Sequence, residues 1–140
     1  MLEWEPWGWD PPPVDPTNAK SVECVRSNDP NVKHADFYSD MYEDECARDI
    51  EFMRHNNNLI ALRISGKSRN RSNGKPGTMI SDLSPISNNT TIEVLSIHSS
   101  NVKDLTQIMA CTSLTHLSLT DSLLTSIPLF TSVAYVDFSH

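Results

Sequence analysis

Apolar residues in the second half of the chain recur at a fixed spacing. Ile92, Leu95, Ile97 and Val102 return 22 positions later as Leu114, Leu117, Leu119 and Leu124. Both copies spell L-x-x-L-x-L-x-x-S-x-L, with Ser100 and Ser122 as the polar position after the strand-like part. The echo also runs backwards, since Ile80, Asp82, Leu83 and Ile86 return as Val102, Asp104, Leu105 and Ile108. Positions i, i+3 and i+5 cannot share one helix face, but Leu117 and Leu119 alternate as on a strand. One such unit cannot bury its own apolar edge. Stacked units can, with each strand pairing in parallel with the next and the leucines filling a shared interior. Ser100 and Ser122 then fall where the chain leaves the strand, and their hydroxyls are placed to satisfy exposed backbone groups.

The same pattern opens at Leu59, Leu62 and Ile64, 33 positions ahead of Ile92. The eleven extra residues match the polar stretch KSRNRSNGKPG, which reads as a loop insertion (66–78) emerging just after the first strand. Adding a loop costs little entropy per residue and leaves the register intact, so its removal is expected to be harmless. The last unit is short: Leu114 to Val133 is 19 positions, and Val133, Val136 and Phe138 begin a fourth strand. No following segment covers the far edge of that strand, which predicts self-association through it or cover by a partner or further repeats.

Upstream, Asp40 to about His55 reads as a helix. Asp40 and Glu43 form a D-x-x-E start signal, and Tyr42, Cys46, Ile50 and Met53 make one apolar stripe. Asn56–Asn58 ends it. This helix (39–58) is expected to cover the first unit. Residues 1–38 read as an extended leader, with Trp4, Trp7 and Trp9 among Pro6 and Pro11–Pro13. The tryptophans suit either docking on the chain's own body or anchoring a partner.

The L-x-x-L-x-L spacing and the phrase ISDLSPI resemble the leucine-rich repeat, in its 22-residue internalin-like class. The resemblance covers Leu59 to Phe138. It implies an α/β fold, a short leucine-rich-repeat solenoid of parallel strands (59–140) with an N-terminal helical cap. It also implies a binding scaffold with a concave strand face, and it names no ligand.

The outward strand positions can be written down in that register. They are Ala61, Arg63 and Ser65; Val94, Ser96 and His98; His116, Ser118 and Thr120; and Tyr135, Asp137 and Ser139. The register brings His98 or His116, Ser118 and Asp137 into one neighbourhood. A flat ladder lacks the enclosed pocket and oxyanion donors that a catalytic triad needs, so a mixed polar recognition surface is the expectation and no catalytic residue is assigned. Two adjacent histidines without ligands at zinc spacing assign no metal site, and no cofactor is implied.

Charge sharpens this picture. The 140 residues carry a formal net charge of −7, which argues against general nucleic-acid binding and against an anionic membrane surface. Residues 1–58 hold thirteen acidic and five basic side chains, whereas 59–77 hold five basic and none acidic. Lys67, Arg69, Arg71 and Lys75 make the insertion the second candidate contact, for phosphate, nucleic acid, an acidic protein surface or the chain's own acidic helix 40–51, against the plainer reading of a solvated loop. Ala61–Ser68 also spells A-x-x-x-x-G-K-S, the looser phosphate-loop pattern. Its first half is the strand itself and nothing helical can follow it, so nucleotide binding is not expected.

Cys24, Cys46 and Cys111 form no C-x-x-C pair, which with the absence of a secretory signal or long apolar run predicts reduced thiols and a cytoplasmic protein. The sequons at Asn70, Asn88 and Asn89 then carry no implication. The reading that results is a non-catalytic protein-interaction module with a protein partner. Its alternatives are a secreted or cell-surface internalin-like recognition domain and an accessory subunit of a larger enzyme complex.

Overall fold

The computed structural model describes residues 19–39, 44–128, 130 and 133–138. Five parallel strands form one sheet in chain order: β1 (His34–Ser39), β2 (Ala61–Gly66), β3 (Val94–His98), β4 (His116–Thr120) and β5 (Tyr135–Asp137). Among the described residues, helix is confined to α1 (Val22–Arg26), α2 (Glu45–Arg48) and three 3-10 turns, Glu51–Met53, Ser84–Ile86 and Thr106–Ile108. The fold is α/β, dominated by its parallel sheet. No described helix is long and apolar enough to cross a membrane.

The register follows the sequence echo. Val94, Leu95 and Ile97 stand opposite His116, Leu117 and Leu119, the 22-residue offset in space. Leu62 and Ile64 stand opposite Leu95 and Ile97, 33 positions on, and His116 stands opposite Tyr135, 19 positions on. Leu62, Leu95 and Leu117 form one fully buried column, and Ile64, Ile97 and Leu119 the next. Just before each strand the backbone is already laddered, with Glu93 N–H on the Ile60 carbonyl, Thr115 N–H on Glu93 and Ala134 N–H on Thr115.

Parallel pairing requires the chain to return to the same end before each new strand. The three 3-10 turns lie on that return path, each packed against the next. One device opens all three: an aspartate accepts the N–H two residues on. Asp49 Oδ1 takes the Glu51 N–H at 3.0 Å, Asp82 Oδ1 that of Ser84 at 2.9 Å, and Asp104 Oδ1 that of Thr106 at 2.7 Å. These backbone hydrogen bonds hold the Asp82 and Asp104 carboxyls below the usual carboxylate range. Ser100 and Ser122 act as expected after the strand. Val102 N–H donates to Ser100 Oγ at 3.3 Å, and Ser122 Oγ donates to the Leu119 carbonyl at 3.1 Å.

Upstream of Leu59 the structure corrects the sequence reading twice. The segment 19–38, taken as part of an extended leader, holds α1 and most of β1, so the sheet has five strands rather than four. Ala35 and Phe37 face inward opposite Leu62 and Ile64. The helix expected over Asp40–His55 is cut short as well. Its start signal and the tryptophans and prolines of 1–18 lie outside the described residues. Beyond them, helix covers only Glu45–Arg48, and Asp49 turns extended to open the first 3-10 turn. Asp49, Ile50 and Met53 therefore belong to the repeat: they stand 33 positions ahead of Asp82, Leu83 and Ile86.

Covering the first turn of chain falls to α1. It packs on Glu51–Met53, its Arg26 bridges Glu23 and Glu45, and Phe37 meets Phe52 edge-on at 5.9 Å. The run Asn56–Asn58, read as a helix stop, is an interlock. Asn28 takes the Asn57 N–H on its Oδ1 at 3.0 Å and the Asn58 Nδ2 at 2.7 Å. Buried Asn56 accepts the Asn58 and Leu59 N–H groups on Oδ1 and donates Nδ2 to the Val25 carbonyl at 2.9 Å. Asn89 repeats this one unit later, accepting Thr91 and Ile92 N–H and donating to the Asn56 carbonyl at 3.0 Å. Cys111 holds the corresponding place in the next unit, its thiol on the Ile86 carbonyl and its pKa raised by burial.

Candidate binding face

Alternate strand positions fall into rows on the side of the sheet away from the core. One row runs His34, Ala61, Val94, His116, Tyr135; the next runs Asp36, Arg63, Ser96, Ser118, Asp137. Neighbouring strands sit about 4.8 Å apart, so side chains along a row are within reach of one another. Arg63, Ser65, Ser96, His98, His116, Thr120 and Asp137 are half-buried on this face. Ala61, Val94 and Ser118, also expected to face solvent, are buried. Tyr135 occupies its expected strand position; its side chain, like Ser139, lies outside the described residues.

Beside buried His34, β1 adds two more residues to the face, none of the three expected from the sequence. Asp36 stands opposite Arg63, and their charged groups meet at 3.3 Å. Burial pushes the Asp36 carboxyl up and Arg63 pulls it down, with burial prevailing. Tyr38 is 63% exposed, the largest aromatic surface on the described part of the sheet. The alternation of Ala35 and Phe37 with Asp36 and Tyr38 is the strand signal that was there to be read.

At the C-terminal ends of β3 and β4 the basic insertion closes down onto the sheet. His98 Nδ1 lies 2.6 Å from Thr120 Oγ1, and its Nε2 lies 3.4 Å from Ser68 Oγ. Both ring nitrogens of His98 thus have hydroxyl partners, Thr120 and Ser68, on the rim of the sheet. The loop is pinched at its neck. A Cβ on Gly66 would lie 2.9 Å from the Gly77 carbonyl carbon, so the two glycines are needed for the backbones to pass. After Lys67–Ser68 no described helix begins before Ser84, so the phosphate-loop pattern lacks its helix.

Arg69 pins the insertion. Its N–H donates to Asp121 Oδ2 at 2.6 Å, its Nε lies 3.4 Å from Oδ1, and its Nη2 donates to the Ser100 carbonyl at 2.6 Å. Asp121 sits at φ 54°, and Ser99 at the matching place one unit earlier has φ 63°. Such left-handed residues follow both strands and aim their polar atoms at the loop: Gly77 N–H donates to Ser99 Oγ at 2.5 Å. The insertion is in register, as expected, but it is anchored rather than free. Lys67, Arg71 and Lys75 remain exposed on it.

Burial raises the Asp121 pKa, yet the Arg69 N–H, the Ser99 hydroxyl and the Arg69 and His98 charges outweigh it and leave the carboxyl below its ordinary value. A depressed folded-state value means the anchor contributes fully above the unfolded value, about 3.9, and is lost as pH falls through the folded one. Asp121→Asn is expected to cost about 1–2 kcal/mol at neutral pH and to raise hydrogen exchange at the Arg69 amide. Unchanged exchange there in the variant would show that the loop is held by something else.

Comparison of the chain with family models and with curated proteins finds no match.

Proposed function

We propose that this chain is a short leucine-rich-repeat solenoid acting as a non-catalytic protein-interaction module, with the outward sheet face as its contact surface and the basic loop at the rim. The observation that carries this reading is the face itself. It holds exposed Tyr38 beside half-buried Arg63, Ser96, His98, His116 and Asp137, all mounted on one parallel sheet in fixed register. A rigid, mixed polar surface with an aromatic anchor suits macromolecular recognition, since such anchors carry much of the binding energy at interfaces. The five-strand parallel sheet in chain order, with its 22-residue register and stacked return turns, supports the solenoid part of the reading.

Affinity capture with face variants tests it. Tyr38→Ala removes the aromatic anchor, and Ser96→Arg sets a bulky charge at the centre of the sheet. Each is expected to lose partner, by roughly 2 kcal/mol for Tyr38→Ala if it is a hot spot. Lys103→Glu, on an exposed position beside Asp104, should leave capture intact. Capture insensitive to both face variants and lost with Lys103→Glu would move the contact surface off the sheet.

A second reading, association through the last strand, is favoured by one observation. Val136 points inward like Leu117 beside it, yet is 46% exposed, and Ile127 nearby in sequence is 57% exposed. Apolar surface on the last strand of the described sheet invites pairing with another chain. Sedimentation should then show concentration-dependent dimers that Val136→Lys abolishes; a monomer at all concentrations would remove this reading.

A further inference from the structure

Inside the basic loop five acceptors are taken by the loop's own donors. Asn70 Oδ1 takes the Ser72 N–H at 2.7 Å and Asn73 Oδ1 takes the Lys75 N–H at 2.9 Å. The Lys75 carbonyl takes the Asn70 N–H and the Asn70 carbonyl takes the Gly74 N–H, both at 2.8 Å. The Gly74 carbonyl takes Arg69 Nη1 at 2.8 Å. With their oxygens so placed, Asn70 and Asn73 present amide Nδ2 donors, because each oxygen assignment fixes the nitrogen on the other side. Lys67 and Lys75 form no ion pair among the described residues. Asp121, the carboxylate that touches the loop, is already engaged by Arg69.

Lys67, Ser68, Asn70, Asn73 and Lys75, with Pro76 and Gly77, line a hollow of about 260 Å³. Its shape is set by the Gly66–Gly77 neck, the positive φ of Gly74 and the Arg69 clamp. The hollow brings two lysines and two side-chain amides together, donors that suit a compact group with several oxygens. We propose that this hollow is an oxyanion subsite that takes one phosphoryl group, with Lys67 and Lys75 supplying charge and the Asn70 and Asn73 amides fixing orientation. A tetrahedral dianion can bridge two ammonium groups and still accept from both amides; a monocarboxylate has too few oxygens and half the charge. The subsite deepens the reading of the loop as the rim of a binding face, and it rests on that reading only for the source of the phosphoryl group, a modified side chain of the docked protein.

Titration with inorganic phosphate, followed by backbone amide resonances, tests the subsite without knowledge of a partner. Saturable shifts confined to 67–77 are expected, with a Kd in the millimolar range that suits a single exposed group. Lys67→Gln with Lys75→Gln should weaken binding about tenfold or more, while the Arg69 amide stays protected and so reports an intact loop. Chloride at matched ionic strength producing the same shifts would reduce the effect to screening and overturn the proposal. So would shifts unaltered in the double variant, or none at all. A short phosphoserine peptide that binds more tightly than inorganic phosphate places the group on a protein; the reverse order identifies a free anion as the ligand of the same subsite. Phosphate binding is read independently of Tyr38 and Ser96, so failure of the sheet face as a partner surface and failure of the subsite are separate results.

Discussion

Leu95→Ala is expected to cost roughly 3–5 kcal/mol, at the upper end of large-to-small core changes, and Leu117→Ala roughly 2–3 kcal/mol, at the lower end. Both side chains are fully buried and both come from the same place in the repeat. They differ in what lies beyond them. Leu95 is flanked by Leu62 on one side and Leu117 on the other, so a cavity there is walled by packed strands that cannot follow it. Leu117 has Leu95 on one side and half-exposed Val136 on the other. Near an exposed edge the neighbours can settle inward, and the cost of the cavity falls as the cavity shrinks. Urea unfolding with unchanged slope measures both. Equal or reversed costs would mean that β5 walls in Leu117 as firmly as β2 walls in Leu95.

How much of this fold could be read from the sequence depends on how much of each unit lies in apolar side chains. Leu95, Ile97, Leu117 and Leu119 announce their strands because every inward position is a large aliphatic. The first strand does not: its inward positions are Ala35, Phe37 and Ser39, and only Phe37 is large. Glu45–Arg48 and Glu51–Met53 read as one helix because Cys46, Ile50 and Met53 keep helical spacing. The aspartate that breaks them, Asp49, was legible only through its kinship with Asp82 and Asp104, two units of the same D-[I/L]-x-x-[I/M] phrase.

The candidate face divides in the same way. Its central positions follow from strand alternation alone, which sets Arg63, Ser96, His98, His116 and Thr120 half-buried beside fully buried leucines and isoleucines. Alternation does not report depth: Val94 and Ser118 are buried, whereas Ser96, on the same strand as Val94 and beside Ser118, is half-buried. The anchoring of the basic loop rests on Arg69 reaching Asp121, 52 positions away, and no local pattern encodes a contact of that span. The repeat pattern marks a polar position after the strand, at Ser100 and Ser122. The stronger members of the polar ladder stand before the strand, at Asn56 and Asn89, where the period of the apolar residues gave no reason to look.

Asn89→Ala tests that ladder and is expected to cost roughly 2–4 kcal/mol, comparable with a core leucine. The residue is 9% exposed and serves three backbone groups at once. Its Oδ1 accepts the Thr91 and Ile92 N–H groups at 2.8 Å each, and its Nδ2 donates to the Asn56 carbonyl at 3.0 Å. Truncation leaves these groups without their side-chain partner at the point where the return path turns into β3, and each orphaned buried group costs about 1–3 kcal/mol, less where water can enter. Asn88→Ala, one residue earlier and exposed, should change stability by no more than about 0.5 kcal/mol. Asn89→Asp separates the two ends of the amide. It keeps the acceptor for Thr91 and Ile92 but turns a carboxylate oxygen toward the Asn56 carbonyl, which disfavours the charged form and raises the folded-state pKa of the new group. A raised folded-state value favours folding once the group is protonated. Asn89→Asp should therefore be least stable relative to the parent at neutral pH, and recover as pH falls through the raised value toward the ordinary aspartate value of about 3.9. Recovery on acidification in Asn89→Asp, absent in Asn89→Ala, assigns the donor end its role in joining one unit to the next. Equal stability of Asn89→Ala and Asn88→Ala would show instead that the strands and their leucines hold the units together unaided.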